Sequence, residues 1–69
     1  MREYENLRIR ETIAAVKFMR KMKFDKYVIL NNLDSNIENL RVNASNEFIS
    51  CLFDIRQKVV LDKEIRGDI

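Results

Sequence analysis

The sequence has no histidine, no proline and no tryptophan, and it contains one cysteine, Cys51, and one glycine, Gly67. Without histidine, the Ser–His and Cys–His pairs of nucleophilic catalysis are excluded, and one glycine cannot supply a phosphate-binding loop. One cysteine forms no internal disulfide, and the carboxylates show no spacing typical of a metal site. We therefore expect a protein that is not an enzyme and that uses no cofactor, metal ion or small-molecule substrate.

Long apolar runs are missing as well. No stretch has the length of a signal peptide's apolar core or of a transmembrane helix, so membrane association is not expected. A single cysteine is typical of proteins in a reducing compartment, and Cys51 is expected to be a buried structural thiol. The predicted location is the cytoplasm.

The chain of 69 residues has room for a single small domain spanning residues 1–69. A domain of this size buries only about 60% of its unfolded surface, and its core alone rarely contributes more than roughly 3–5 kcal/mol. With neither a disulfide nor a metal, regular helix packing and self-association remain as sources of stability. The length therefore predicts a homo-oligomer, most simply a homodimer.

Residues 3 to about 23 are predicted to form one helix, because they contain no helix breaker and their charges follow helical spacing. With about 3.6 residues per turn, the apolar residues form two nearly opposite stripes. The first, which we call the aromatic stripe, consists of Tyr4, Leu7, Ala14, Ala15, Phe18 and Met22. The second, the isoleucine stripe, consists of Ile9, Ile13 and Val16. We predict that the isoleucine stripe, with Arg10 and Arg20 at its rim, binds a protein partner or a second copy.

Positive charge is concentrated towards the N-terminus. Residues 1–26 hold eight Lys or Arg against four Asp or Glu, whereas residues 27–69 hold five against seven. Between the two stripes, Arg10, Lys17 and Lys21 form what we call the basic band, and Lys23 and Lys26 follow it. These five residues are the nucleic-acid contacts of an alternative function, although the asymmetry also suits two copies that pair head to tail.

Residues 24–44 leave two structures open. In the first, Asp25 caps a helix, and a capping box at 35–38 restarts that helix after Asn31 and Asn32. In the second, the asparagines between 31 and 43 form a loop, and 26–43 is a β-hairpin with strands at 26–30 and 39–43. The first is favoured because it gives the helix a single apolar face, made of Leu30, Leu33, Ile37, Leu40 and Ala44.

The segment 33–42, followed by Ser45-Asn46-Glu47, resembles the second half of the His-Asn-His nuclease motif. The resemblance implies the hairpin for this part of the chain. Tyr27 stands where that family has its histidine, and Ser35 replaces an asparagine, so the catalytic base and the metal ligand are both missing. What the resemblance implies is a fold used for binding and not for cleavage.

Ser45 is the predicted N-cap of a third helix, with Glu47 in its first turn. The helix is expected to bend or fray beyond about residue 61, where the apolar pattern changes, and Gly67 is the predicted C-terminal cap. The core stripe of this helix is predicted to be Phe48, Leu52, Ile55 and Val59, widened by Ile49, Phe53 and Val60.

Together these patterns predict an all-α fold, a small three-helix bundle that is dimeric. The alternative is an α+β fold with a short β-hairpin at about 26–43 between two helices. The predicted function is that of a small adaptor or inhibitor that binds another protein, and the alternative is a nucleic-acid-binding regulator that uses the first helix. Abundant asparagine, lysine and isoleucine are typical of AT-rich genomes and favour a phage or mobile-element regulator.

Overall fold

A computed structural model describes residues 1–66 of the chain. It contains three helices in the order α1 (Glu3–Lys21), α2 (Lys26–Leu40) and α3 (Asn46–Val60). Residues 26–40, for which the sequence leaves helix and hairpin open, form the single helix α2, and no strand occurs within the described residues. The prediction of an all-helical, three-helix fold is confirmed.

Helix α1 begins after Arg2, whose backbone N–H donates a hydrogen bond of 3.0 Å to Glu5 Oε1. It ends in a Schellman motif, in which the N–H of Lys23 bonds to the Arg20 carbonyl and that of Phe24 to the Met19 carbonyl. Lys23 adopts a φ of 61° to make this turn. The predicted helix at 3 to about 23 is thus confirmed to within two residues.

Helix α2 is capped as predicted, because the backbone N–H of Tyr27 donates to Asp25 Oδ1 over 2.8 Å. The predicted restart at a capping box at 35–38 is wrong, because Ser35 lies inside one continuous helix. Packing overrides the poor helix propensity of the asparagines here, since one face of α2 is held in the core by Ile29, Leu33 and Ile37.

Helix α3 is also capped as predicted, with the N–H of Phe48 donating to Ser45 Oγ over 3.2 Å. It ends at Val60 in a second Schellman motif, where Asp62 takes a φ of 57°. The helix thus ends close to the predicted residue, but in a hydrogen-bonded turn and not by fraying. The predicted cap at Gly67 lies outside the described residues.

The core lies between the three helices. Each helix presents one row of apolar side chains to it, and Ile65, beyond the end of α3, closes one side. Within α3 the predicted stripe is confirmed, but Phe53 and Val60, which were expected to widen it, are exposed. Among residues 1–66, the buried apolar side chains are Ile9, Ile13, Val16, Met19, Ile29, Leu33, Ile37, Phe48, Leu52, Ile55, Val59 and Ile65.

None of the helices in the described part of the chain combines the length and the apolar character needed to cross a bilayer.

Candidate protein-binding face

The two apolar stripes of α1 lie the opposite way round from the expected assignment. Ile9 and Val16 are 0% exposed and Ile13 is 4% exposed, so the isoleucine stripe forms part of the monomer's own core. The physical reason is that Leu33 of α2 and Leu52 of α3 pack on that side, and spacing along one helix cannot show where its neighbours lie. In this fold the isoleucine stripe is not available to a partner.

The aromatic stripe is the face that meets solvent. Its four large side chains are each more than half exposed, at 55% for Tyr4, 54% for Leu7, 58% for Phe18 and 56% for Met22. They extend along the whole of α1, a helix of 19 residues that is about 28 Å long. A line of large apolar side chains on a helix whose opposite side is already buried is typical of a binding surface.

One charged residue lies within the aromatic stripe. Glu11 is exposed between Leu7 and Ala14, and its carboxylate pairs with Arg8 Nη1 at 3.6 Å. This is a solvent-exposed pair between neighbouring turns of the helix, of a kind that contributes little to stability. Its effect is to divide the apolar face into two halves, one towards each end of the helix.

The N-terminal end of the face is held in place by Arg2. Its guanidinium donates from Nη1 to Tyr4 Oη over 3.1 Å and to the Asn43 carbonyl over 3.0 Å. Because the same guanidinium nitrogen contacts the α2–α3 connection, the Tyr4 ring is oriented by the rest of the fold. A ring with restricted motion loses less conformational entropy on binding.

In the first turn of α1, a buried carboxylate fixes the helix against the start of α3. Glu5 accepts hydrogen bonds from the backbone N–H of Ser45 (2.9 Å), the backbone N–H of Arg2 (3.0 Å) and Ser45 Oγ (2.9 Å). The Ser45 N–H bond, followed by the other donors, lowers the pKa of Glu5 against the opposing effect of desolvation. The sequence pattern did not predict this role of Glu5, although the sequence holds two signals for it, the position of Glu5 in the first turn of α1 and the predicted cap at Ser45.

Arg20, expected at the rim of a binding surface, instead holds the end of α3. It donates from Nη1 to the Lys63 carbonyl (2.7 Å) and from Nη2 to the Lys58 carbonyl (3.2 Å). Carbonyl groups at a helix C-terminus lack intrahelical partners and carry partial negative charge, so a cation there is stabilising. The observed role of Arg20 is therefore structural.

The basic residues are only partly brought together. Lys17 and Lys21 are exposed on one side of α1 and make no ion pair with any residue from 1 to 66, and Lys23 is exposed just beyond them. Arg10 is exposed on the same side, where it has an interaction of its own. Lys26 instead contacts the end of α3, because its ammonium donates to Asp62 Oδ2 over 2.9 Å and to the Val60 carbonyl over 3.1 Å.

A concave region lies between α1, α3 and residues 65–66, apart from the aromatic stripe. It is an open groove of about 720 Å³, with half-buried Cys51 on its wall and the Lys58–Asp54 ion pair of 2.9 Å beside it. Cys51 was expected to be buried, and it is partly so. Across residues 1–66, no three His, Cys, Asp or Glu side chains converge as metal ligands would.

No protein-family model, curated protein or solved structure matches this chain.

Proposed function

We propose that this protein is a small adaptor or inhibitor that acts by binding another protein through the aromatic stripe of α1. The observation that supports this most is the exposure of Tyr4, Leu7, Phe18 and Met22, all above one half, along a single line. A folded monomer gains nothing from leaving four such side chains in water, whereas a partner that covers them gains their burial. The mode of recognition is an amphipathic helix lying in an apolar groove of the partner.

The test is affinity capture from a nuclease-treated lysate of the native host, followed by mass spectrometry. We expect a specific protein to be captured by the natural sequence and lost with Phe18→Asp, because the new charge would be buried without a partner. The matched control is Phe53→Asp, since Phe53 is 50% exposed but lies on α3, away from the stripe. Capture that survives Phe18→Asp, or that Phe53→Asp removes equally, would count against the proposal.

A second candidate function, binding to nucleic acid, is supported by the exposed side chains of Lys17 and Lys21 beside Arg10. The basic band spans about 16 Å at a rise of 1.5 Å per residue, so it could follow one phosphate backbone. Three phosphate contacts give a slope of log affinity against log salt of about −2.7 on duplex DNA. The expected binding is weak and independent of sequence.

Fluorescence anisotropy with a labelled duplex at several salt concentrations measures that slope. Double charge reversal, Lys17→Glu with Lys21→Glu, should reduce both the affinity and the slope if the basic band binds phosphates. The same double variant should leave capture of a protein partner largely intact, because these side chains flank the aromatic stripe and do not belong to it. Loss of protein capture on charge reversal, with capture unchanged by Phe18→Asp, would reverse the ranking of the two functions.

A further inference from the structure

We propose that the aromatic stripe binds the aromatic stripe of a second copy of this chain, with the two α1 helices antiparallel about a twofold axis near Glu11. The inference rests on the proposed function, since it names a partner for the same face. It is carried by the spacing of the exposed residues, by the size of the side chains that would meet, and by the distribution of charge along α1.

The spacing is that of a helix–helix seam. The exposed positions 4, 7, 11, 14 and 18 alternate in steps of three and four residues. This is the repeat by which one face of an α-helix stays in register with a second helix, as in coiled coils. A partner groove of arbitrary shape would not require a line this narrow, whereas a second helix does.

The side chains along the seam are complementary to themselves when the second helix is reversed. With Glu11 at the axis, Tyr4 lies beside Phe18 of the second copy, which forms an aromatic pair at each end of the interface. Leu7 then lies beside the small residues Ala14 and Ala15 of the second copy. The twofold symmetry repeats each contact, so the interface has two aromatic pairs and two contacts of leucine with alanine. Both kinds of contact pack well.

The charges select the antiparallel orientation. Residues 3–11 carry three acidic and two basic side chains, a net charge of −1, whereas residues 12–21 carry Lys17, Arg20 and Lys21 and no acid, a net charge of +3. Antiparallel pairing places each negative half against a positive half, brings Glu3 near Lys17 of the second copy, and opposes the two helix dipoles. Parallel pairing would align the two positive halves.

Glu11 makes the dimer weak and fixes its register. The two Glu11 carboxylates approach each other at the axis, each accompanied by its own Arg8 at 3.6 Å. A polar residue at one position of an apolar seam lowers stability and disfavours shifted alignments, which would place the charge against Leu7 or Phe18. The apolar area is also small, on the order of 400–600 Å² per copy, at the low end for specific interfaces.

The consequence is that self-association and partner binding compete for one surface. We expect a dissociation constant on the order of 10–100 μM for the dimer. At low concentration the chain presents a free aromatic stripe, and at high concentration the stripe is covered by another copy.

Two measurements on the full chain test the inference. Sedimentation equilibrium from about 5 to 500 μM, a range that brackets the expected dissociation constant, should show the mass rising from the 8.3 kDa monomer towards twice that value. Phe18→Asp should keep the chain monomeric throughout, and Phe53→Asp should dimerise like the natural sequence. Circular dichroism confirms that each variant is folded, as expected for substitutions at exposed positions.

Cross-linking tests the orientation. In a Cys51→Ser background, the Glu11→Cys variant should be joined efficiently by a short bismaleimide, because position 11 faces itself across axes about 8–10 Å apart. The Tyr4→Cys variant should not be joined, since antiparallel helices separate the two copies of position 4 by about 21 Å along the axis.

Cross-linking of both variants would show a parallel pair and would overturn the antiparallel arrangement. Cross-linking of neither variant, or of Tyr4→Cys alone, would overturn it as well. A chain that is monomeric at every concentration would also overturn it. If partner capture is nevertheless lost with Phe18→Asp, only the self-association is wrong and the proposed function stands.

Discussion

At the scale of single residues, the fold depends on a few backbone positions that end the helices without glycine. It also depends on polar side chains that link the helices without a disulfide. Among residues 1–66, three non-glycine residues, Lys23, Asn43 and Asp62, adopt positive φ at or just after the ends of the three helices. The left-handed conformation costs an ordinary residue roughly 1–2 kcal/mol. Lys23 therefore carries a cost that a glycine would avoid, whereas Asn43 and Asp62 belong to the residue types that tolerate this conformation best after glycine.

Replacing Lys23 by glycine should stabilise the protein by about 0.5–1 kcal/mol, because the φ of 61° is retained without the clash of a Cβ atom. Urea unfolding followed by circular dichroism measures the change. The control is Lys17→Gly, at an exposed position in the interior of α1, which should destabilise the protein by about 1 kcal/mol. Equal effects from the two variants would show that the Schellman turn at Lys23 is not under strain.

Glu5 has a predicted effect on acid stability. Its folded-state pKa is lowered, first by the Ser45 N–H, so it stabilises the fold above the unfolded carboxyl pKa of about 4.3. That stabilisation is lost as the pH falls through the lower folded-state value. Glu5→Gln, which places an amide N–H₂ group among donors, should lower the urea midpoint at pH 7 and make stability less dependent on pH below about 5.

The control for Glu5 is Glu38→Gln, since Glu38 is an exposed carboxylate on α2 that pairs only loosely with Arg41 at 3.8 Å. Its unfolding midpoint should stay close to that of the natural sequence. An acid profile unchanged by Glu5→Gln would show that the buried carboxylate does not link α1 to α3.

At the scale of the helices, α2 is the element in which local preference and packing disagree most. Its asparagines and Ser35 favour turns, yet the helix runs unbroken from Lys26 to Leu40. The amide of Asn36 donates to Asn32 Oδ1 over 3.1 Å, so these side chains pair along the exposed surface of the helix. Isolated helices of this length are marginal in water, and α2 depends on burial of Ile29, Leu33 and Ile37.

Two serine substitutions distinguish a helix interior from a helix cap, because they are expected to change the stability of the protein in opposite directions. Ser35→Ala should stabilise the protein by about 0.5 kcal/mol, because Ser35 is an exposed position inside α2 and alanine is the better helix former. Ser45→Ala should destabilise it by about 1 kcal/mol or more, because Ser45 Oγ accepts from Phe48 N–H and donates to Glu5. Chemical denaturation measures both.

If Ser35→Ala instead destabilises the protein by about 1 kcal/mol, Ser35 is a cap in solution and α2 is divided there.

At the scale of the whole molecule, the decisive feature is which stripe of α1 faces inwards. Ile13→Val should cost about 0.5–1.5 kcal/mol, since it removes one methylene from the core. Phe18→Ala should change the stability of the monomer by less than about 0.5 kcal/mol, because Phe18 is exposed. Thermal unfolding at low protein concentration, where self-association does not contribute, compares the two directly.

A large loss with Phe18→Ala and none with Ile13→Val would mean that α1 packs in solution through its aromatic stripe.

The sequence alone determined α1, α3, two of the caps and the core face of α3, whereas it left α2 open between a helix and a hairpin. Asp25 and Ser45 are local signals, because a capping side chain bonds to a backbone group only two or three residues away. The row of Phe48, Leu52, Ile55 and Val59 was readable because it is the one strongly apolar face of its helix. On α2, the predicted residues Leu33 and Ile37 are buried, and Leu30, Leu40 and Ala44 are partly buried against the core, whereas the buried Ile29 was not predicted.

Only the tertiary structure decided which side of α1 is buried and which charged side chains form hydrogen bonds or ion pairs within the fold. Periodicity defined two stripes on α1 equally well, and the choice depends on where α2 and α3 lie, which no local pattern contains. Arg20 and Lys26 looked like surface cations, but the chain folds the end of α3 onto them. Contacts between residues more than thirty positions apart follow from the packing of the helices, and that packing leaves the aromatic stripe exposed.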